Sequence, residues 1–481
     1  MKIQLKKDYR GEFEEVTVEK GSTIEQLYKS LEAELPYTVL AAKVNNKLVT
    51  LAYKFYRDCK VELLDMRTQV ANLIYQNSLS LIYLKAASDV LGGCEVDIQN
   101  SLNKGLYTEI KSEEPVTAKQ VKEIQKRMEE LIAADLPLER TKLTKEEAEQ
   151  FFISTGRAGK VALLEENPYM KRIPFYSLDG YMDFFYGLMA PSTGYIKYFQ
   201  LMKYRRGVLL RFPHPSKPNE IPQYIDEKAL YKTFGEEKRW GKLMEISYVS
   251  DLNRRIDEGK IKELIQISEA LHERKIVEIA DMITKQKKRI ILIAGPSSSG
   301  KTTFAQRLCI QLRVHGLKPL YLGTDDYFVE REQTPTDEFG EKDYENLNAV
   351  DIDLFNDNMN DLLAGKEVDL PVFNFLTGHK EFGTKKTRIK ATQPIVIEGI
   401  HALNRALTPK IAEEEKFKIY ISPLIQLNID NHNRIVTTDH RMLRRMVRDY
   451  KYRGYSAQNT IDSWPKVRAG EDKNIFPFAG E

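Results

Sequence analysis

Gly295-Pro296-Ser297-Ser298-Ser299-Gly300-Lys301-Thr302 is the stretch on which the reading of this chain turns. It satisfies the pattern G-x4-G-K-[ST] at every fixed position. Glycine at both ends lets the backbone curl until its N–H groups converge on an anion, and the helix that follows offers its positive end to the same point. The Lys301 ammonium then reaches β- and γ-phosphate oxygens, and the Thr302 hydroxyl binds Mg²⁺. The flanks agree with this. Arg289-Ile290-Ile291-Leu292-Ile293-Ala294 reads as a buried strand entering the loop. Phe304, Leu308 and Leu312 recur at i, i+4, i+8, one face of a helix that stops at Gly316. Strand, loop and helix in that order name a nucleoside triphosphate with Mg²⁺ as the ligand class, held by Gly295 to Thr302 and by Thr303 in the first helical turn.

Composition sets the outer bounds. The chain has 481 residues, enough for two to four domains. Its 73 Lys and Arg stand against 70 Asp and Glu, so no global basic excess argues for nucleic acid. Cys59, Cys94 and Cys309 are far apart and form no C-x-x-C pair, which excludes a disulfide framework and a cysteine-rich zinc site. No apolar run approaches the ~18 residues needed to span a bilayer, and Met1 to Arg10 lacks an apolar signal segment. The expectation is a soluble cytoplasmic protein that binds no membrane; a homo-oligomer is compatible with it.

Four regions follow along the chain. In residues 1–65, Lys2–Leu5, Glu15–Val18, Ala41–Val44 and Lys60–Leu64 read as strands, Thr23–Leu31 as a helix and Asn45-Asn46 as a turn. That order, with Ala41-Ala42-Lys43-Val44-Asn45-Asn46-Lys47-Leu48-Val49, resembles the β-grasp TGS domain. Residues 66–235 resemble the second, editing-type α+β domain of threonyl-tRNA synthetases, on Glu130–Arg140 and on Asp183–Lys197 with its Pro191-Ser192-Thr193-Gly194 turn. Those synthetases carry a His/His/Cys/His metal quartet there. The corresponding positions are Asn77, Leu81, Phe185 and Met189, of which Leu and Phe ligate nothing and a thioether holds zinc poorly. The metal is expected to be lost, leaving a structural, regulatory or RNA-binding scaffold. Residues 236–288 read as a helical connector, with Ile261, Leu264, Ile265, Leu271, Ile276, Ile279 and Ile283 on one stripe of a helix over 258–288. The basic cluster Lys285 to Arg289 suits a helix C-terminus.

Residues 289–481 read as a P-loop NTPase α/β domain with a parallel sheet. Leu320-Tyr321-Leu322 is a second strand, ending at Thr324-Asp325-Asp326-Tyr327-Phe328, and carboxylates at the C-terminal end of a parallel strand face the ligand crevice. Gln393 to Ile397 is a third strand ending in Glu398, suited to the metal side of the site. Arg441, Arg445 and Arg448 fall on one face of a helix that runs toward Arg453.

The spacing of these elements resembles the phosphoribulokinase and uridine–cytidine kinase family, whose D-S-F-Y, E-G-I and R-x-x-R-R-x-x-R-D segments correspond to Asp325–Phe328, Glu398–Ile400 and Arg441–Asp449. The resemblance implies that Asp325 meets the acceptor hydroxyl, that Glu398 and Thr302 hold the metal, that Arg448 and Arg453 close on the triphosphate with Lys301, and that Arg445, Asp326, Tyr327, Glu345, Phe373 and His379 line the acceptor side. It departs from the family in Asp343-Tyr344-Glu345 for N-F-D, in Pro371 to Phe375 for P-V-Y-D-F, in Gly378 for a histidine with His379 alongside, and in Tyr455 for an arginine. A further strand and helix follow the lid in that family, whereas this sequence ends at Glu481, soon after Trp464. The implied activity is transfer of the γ-phosphoryl group of ATP to the 5′-hydroxyl of uridine or cytidine. Kinase action on another small alcohol such as a sugar phosphate, and an ATP-switched RNA-binding regulator, are the alternatives.

Overall fold

The computed structural model describes residues 1–8, 11–157, 159–165, 171–337, 340–425 and 427–479. The chain divides into two compact units: Met1–Glu258 with Gln426–Arg434, and Gly259–Ile425 with Ile435–Glu481.

The first unit begins with a five-stranded sheet in the order Glu14–Thr17, Lys2–Lys6, Lys60–Asp65, Val39–Val44, Lys47–Val49. Helix Ile24–Leu31 packs on it, closed at its start by a Thr23/Gln26 capping box. The strand Lys47–Val49 was not foreseen; the turn before it was, because Asn45 and Asn46 both take positive φ, as a two-residue hairpin turn requires. Helix Gln69–Leu91 follows, capped by Thr68 and ended by Gly92 in the left-handed conformation. It is apolar around most of its circumference and is correspondingly buried on nearly every side. Around it stand the sheet Gln200–Tyr204, Gly207–Arg211, Gly105–Lys111, Glu95–Leu102 and helix Ala118–Ala133. A three-stranded sheet of Tyr181–Phe184, Arg172–Leu178 and Glu139–Thr144 completes the unit's strands among the described residues.

The four positions of the synthetase quartet are packing positions here. Leu81, Phe185 and Met189 are 0%, 2% and 3% exposed, and the Asn77 amide donates to the Leu188 carbonyl at 3.4 Å. Among the described residues no group of three or more His, Cys, Asp or Glu side chains could hold a metal ion.

The second unit carries a four-stranded sheet in the order Leu320–Gly323, Ile395–Glu398, Ile290–Ala294, Lys416–Tyr420. All three pairings are parallel, in a register that sets Glu398 beside Ile293 on one side and Gly323 on the other. Near-continuous Ile, Leu and Val in the central strands is what burial on both faces demands. One face is covered by helix Lys301–Val314 and the C-terminal half of helix Ile261–Gln286, through Ile276, Ala280 and Ile283. The foreseen stripe is buried only there: Ile265 is 50% exposed. The basic cluster terminates the helix, with Lys287 in the left-handed conformation and Lys288 and Arg289 donating to the Glu414 and Leu363 carbonyls. On the other face lie helix Ile352–Leu363 and the aromatic group of Phe328, Tyr344 and Phe373. Past the sheet come helix Thr437–Arg453, helix Ala457–Asn474 and a 3-10 turn Phe476–Phe478. No described helix is long and apolar enough to cross a membrane.

Candidate active site

The parallel sheet ends all its strands on one edge, and the phosphate loop leaves the central strand there. Gly295 is dictated by close approach: a Cβ at this position would lie 2.0 Å from the Ile421 carbonyl oxygen, which is backbone and cannot yield. Lys301 folds back over the loop and donates to the Gly295 and Pro296 carbonyls at 3.0 and 3.5 Å, with Glu398 at 4.0 Å. Burial holds its ammonium below the ordinary lysine value, offset in part by Glu398 and Asp325. The Ser298 and Ser299 hydroxyls are buried in the loop without a hydrogen-bond partner. A phosphate oxygen is a fitting acceptor for such donors.

The Thr302 hydroxyl donates to the Glu398 carboxylate at 3.2 Å, and Tyr321 donates to the same oxygen at 3.2 Å. Asp325 stands in the 3-10 turn Thr324–Tyr327 that closes the neighbouring strand. Its side chain is exposed, while its turn neighbours Thr324 and Tyr327 are buried. Desolvation first, and then the Glu398 charge, push its pKa up to about 6, against the pull of Lys301. The Glu398 carboxylate and the Thr302 hydroxyl beside it form a hard-oxygen set. It suits Mg²⁺, which takes one or two carboxylates and completes its shell with phosphate and water.

Gly399 fixes the separation of these groups. A Cβ there would fall 1.8 Å from the Thr324 hydroxyl oxygen, on a side chain that is itself 1% exposed. Gly399→Ala is therefore expected to destabilise the protein by ~1–3 kcal/mol, the usual cost of overpacking, with a lower thermal midpoint as the readout.

The arginine helix meets the loop through residues other than those assigned to it. Arg441 donates from Nε to the Ser297 carbonyl at 3.2 Å and pairs through its other nitrogen with Glu471, both side chains almost fully buried. Arg444 donates to the Ser298 carbonyl at 3.0 Å, and Arg445 to the Ser297 hydroxyl at 2.7 Å. Arg448 and Arg453 instead lie against Asp449, at 2.7 and 3.7 Å. Arg453 also acts electrostatically on Asp325, and Arg445 on Glu345, so the helix spans both the phosphate and the acceptor sides.

Glu471, which the sequence reading did not single out, accepts a hydrogen bond from the Ser297 amide at 3.0 Å as well as the Arg441 contact. Nothing in its neighbourhood in the sequence marks it: it is one acid in a polar helix, and only the fold brings it under the loop. Arg441 was legible as a member of the arginine stripe, without a role.

The acceptor-side assignments divide. Glu345 is half-buried, and its carboxyl is raised by desolvation and then by Glu471 and lowered by Arg445 and Lys301, which puts it with the phosphate-loop groups. Asp326 pairs with Lys385 at 3.7 Å. Tyr327 is 1% exposed, its ring meets Phe355 edge-on, and its hydroxyl accepts from the Asn358 amide at 3.3 Å. The alternation of the short turn sends it inward while Asp325 stays out. Phe373 is likewise 4% exposed and packs on Phe328 and Phe375, so it shapes the wall from behind. His379 is engaged by Glu330 at 2.8 Å on an exposed hairpin. Tyr327→Phe is expected to cost about 1 kcal/mol of stability from the orphaned Asn358 donor and to leave the acceptor KM unchanged. A raised KM would return Tyr327 to the binding site.

Comparison with known proteins divides the chain in the same way. The N-terminal half is similar to threonine–tRNA ligases. That of Marinobacter nauticus is 31% identical over 181 residues, covering 38% of this chain and 28% of the relative. That of Caldanaerobacter subterraneus subsp. tengcongensis is 31% identical over 202 residues, covering 42% and 31%. The chain thus spans about three tenths of the length of these relatives. The solved structure "Structure of a Possible Uridine Kinase from Bacillus stearothermophilus" is 18% identical with a TM-score of 0.25, over 42% of this chain and 96% of that one, too low a likeness to carry an argument. Residues 290–479, which hold every group of the site described above, match the Phosphoribulokinase / Uridine kinase family.

Proposed function

We propose that this protein is an ATP- and Mg²⁺-dependent kinase that phosphorylates a hydroxyl of a small molecule, with the 5′-hydroxyl of uridine or cytidine as the first candidate acceptor. The observation that carries this is the convergence of Lys301, Thr302, Glu398 and Asp325 at one edge of the parallel sheet, in a region matching a family of kinases. Lys301 and the loop amides bind the β- and γ-phosphates. Thr302 and Glu398 would hold Mg²⁺, which would supply neutralisation of phosphate charge when bound. Asp325 accepts the proton of the acceptor hydroxyl as that oxygen bonds to the γ-phosphorus and the bond to the β–γ bridging oxygen breaks, releasing ADP. Arg445 and Arg453 offer guanidinium charge to the oxygens on which negative charge builds.

The acceptor is the open part. Glu345 is a carboxylate able to bind a hydroxyl pair, which both a ribose and a sugar phosphate present. The test is ADP release from Mg-ATP across nucleosides, sugars and sugar phosphates. Release that depends on uridine or cytidine supports the nucleoside reading, and release on a sugar phosphate alone replaces it. ATP hydrolysis stimulated only by structured RNA, with no phosphorylated product, would overturn it in favour of an RNA-binding regulator.

A further inference from the structure

Helix Ala457–Asn474 buries Thr460, Trp464, Val467, Glu471 and Asn474, which recur at i, i+4, i+7, i+11 and i+14 on one face. Toward its C-terminal end that face turns polar, and a carboxylate and an amide stand where packing alone would place aliphatic side chains. Glu471 is 1% exposed. A buried carboxylate is costly unless donors surround it. Here the Ser297 amide donates to one oxygen at 3.0 Å, Arg441 donates to the same oxygen, and Arg468 donates to the other at 2.8 Å. Because Arg441 also reaches the Ser297 carbonyl, Ser297 is held at its N–H by Glu471 and at its C=O by Arg441. The next residue, Ser298, has a φ of 59°. A left-handed backbone is strained for a residue other than glycine and persists only where its surroundings hold it.

The same turn of helix meets the segment that carries Glu345. The Asn474 amide donates to the Glu345 carbonyl at 2.6 Å, and the chain then enters the 3-10 turn Leu347–Ala349. Gly470 lies against the Glu345 side chain: a Cβ at 470 would fall 3.0 Å from the Glu345 Cβ and 3.4 Å from its carboxylate oxygen. Glycine inside a helix is unfavourable relative to alanine, and here it leaves the room that Glu345 occupies. Residues 470 to 474 span only ~6 Å of helical rise, so one stiff turn joins the anchor of the loop to the anchors of the Glu345 turn.

We propose that this helix is a strut that sets the separation of the phosphate loop and the Glu345 turn, with Glu471, Gly470 and Asn474 as its positioning residues. Glu471 holds the loop end; Gly470 and Asn474 hold the turn end. The tie itself stands on these contacts. Its consequence for phosphoryl transfer rests on the proposed function, in which the loop holds the γ-phosphate and Glu345 meets the acceptor. A displacement of ~1 Å between two bound reactants can lower the rate ~10²-fold.

The test is hydrogen–deuterium exchange on the full chain, with one pair of variants at each end of the strut. Glu471→Ala and the milder Glu471→Gln, which keeps an oxygen for the Ser297 amide, alter the loop end. Gly470→Leu and the milder Gly470→Ala alter the turn end. Each is first shown to be folded by thermal unfolding, and the milder member carries the comparison where the stronger does not fold. Asp462→Ala is the control, since Asp462 is exposed on the same helix and accepts from Gln458. In Glu471→Ala and Gly470→Leu, peptides covering residues 295–302 and 343–349 should both exchange at least ~5-fold faster, with smaller effects on both in the milder variants and none in the control. Acceleration confined to the segment at the altered end, or absent from both, overturns the strut. With uridine as acceptor, Gly470→Leu should lower kcat/KM at least ~10-fold, and the fall should appear in kcat more than in KM, because the reactants stay bound but misaligned. Since exchange requires no turnover, a lack of uridine-dependent ADP release from wild type would count against the proposed acceptor alone.

Discussion

Lys301→Ala is expected to abolish acceptor-dependent ADP release to at least ~10²-fold below wild type, the scale on which loss of one preorganised charge at a reacting phosphate is felt. The ammonium already lies over the loop, donating to Gly295 and Pro296, in surroundings that depress its pKa. It therefore carries a desolvation cost that only an anion repays in full. Removing it relieves that cost and orphans two loop carbonyls, so the two effects on stability oppose each other. The thermal midpoint should move by no more than a few degrees, given that ~1 kcal/mol shifts it by ~2–4 °C in a domain of this size. Titration of Mg-ATP should show weakened binding together with the lost turnover. Turnover within a factor of a few of wild type would mean that the loop is not the phosphate site.

Asp325→Asn should give the second large effect, with a different signature. Loss of the base is expected to lower kcat by ~10²–10⁴-fold while Mg-ATP binds as before or more tightly, because a carboxylate that burdens Glu398 has gone. The pH profile separates base from ligand. With the Asp325 pKa pushed up to about 6, wild-type kcat/KM should fall roughly tenfold per unit as pH drops below about 6, since only the ionised carboxylate accepts a proton. An unperturbed aspartate would hold its activity to near pH 4. The variant should lack that limb. The sign for stability runs the other way. A folded pKa above the ordinary 3.8 favours the protonated form, so the ionised group detracts from stability once pH has risen from about 4 through about 6. At pH 7 the asparagine variant should be at least as stable as wild type. Equal loss of ATP binding and turnover would move Asp325 from the acceptor to the metal.

Local signals carried much of the fold. The phosphate loop, the strands ending in Asp325 and Glu398, and the helix beginning at Lys301 all follow from patterns confined to short windows, because backbone curvature, helix-face periodicity and burial on both faces of a parallel strand are written in adjacent residues. The same holds for the Asn45-Asn46 turn, whose two residues both take positive φ.

What only the tertiary structure decided was which charged residue meets which. An arginine stripe specifies a face but not a target: the helix rotation that sets Arg441, Arg444 and Arg445 on Ser297 and Ser298 leaves Arg448 and Arg453 with Asp449. Glu471 lies far from the loop in sequence and carries no local mark, yet packing brings its carboxylate to the Ser297 amide. Tyr327 turns inward because the turn after Gly323 fixes its direction, a choice its aromatic ring does not reveal. The contacts of His432 with Val96 and Asp183 join residues far apart in sequence. Sequence determines the chemistry each segment can perform; long-range pairings depend on the relative placement of whole elements, which no local pattern encodes.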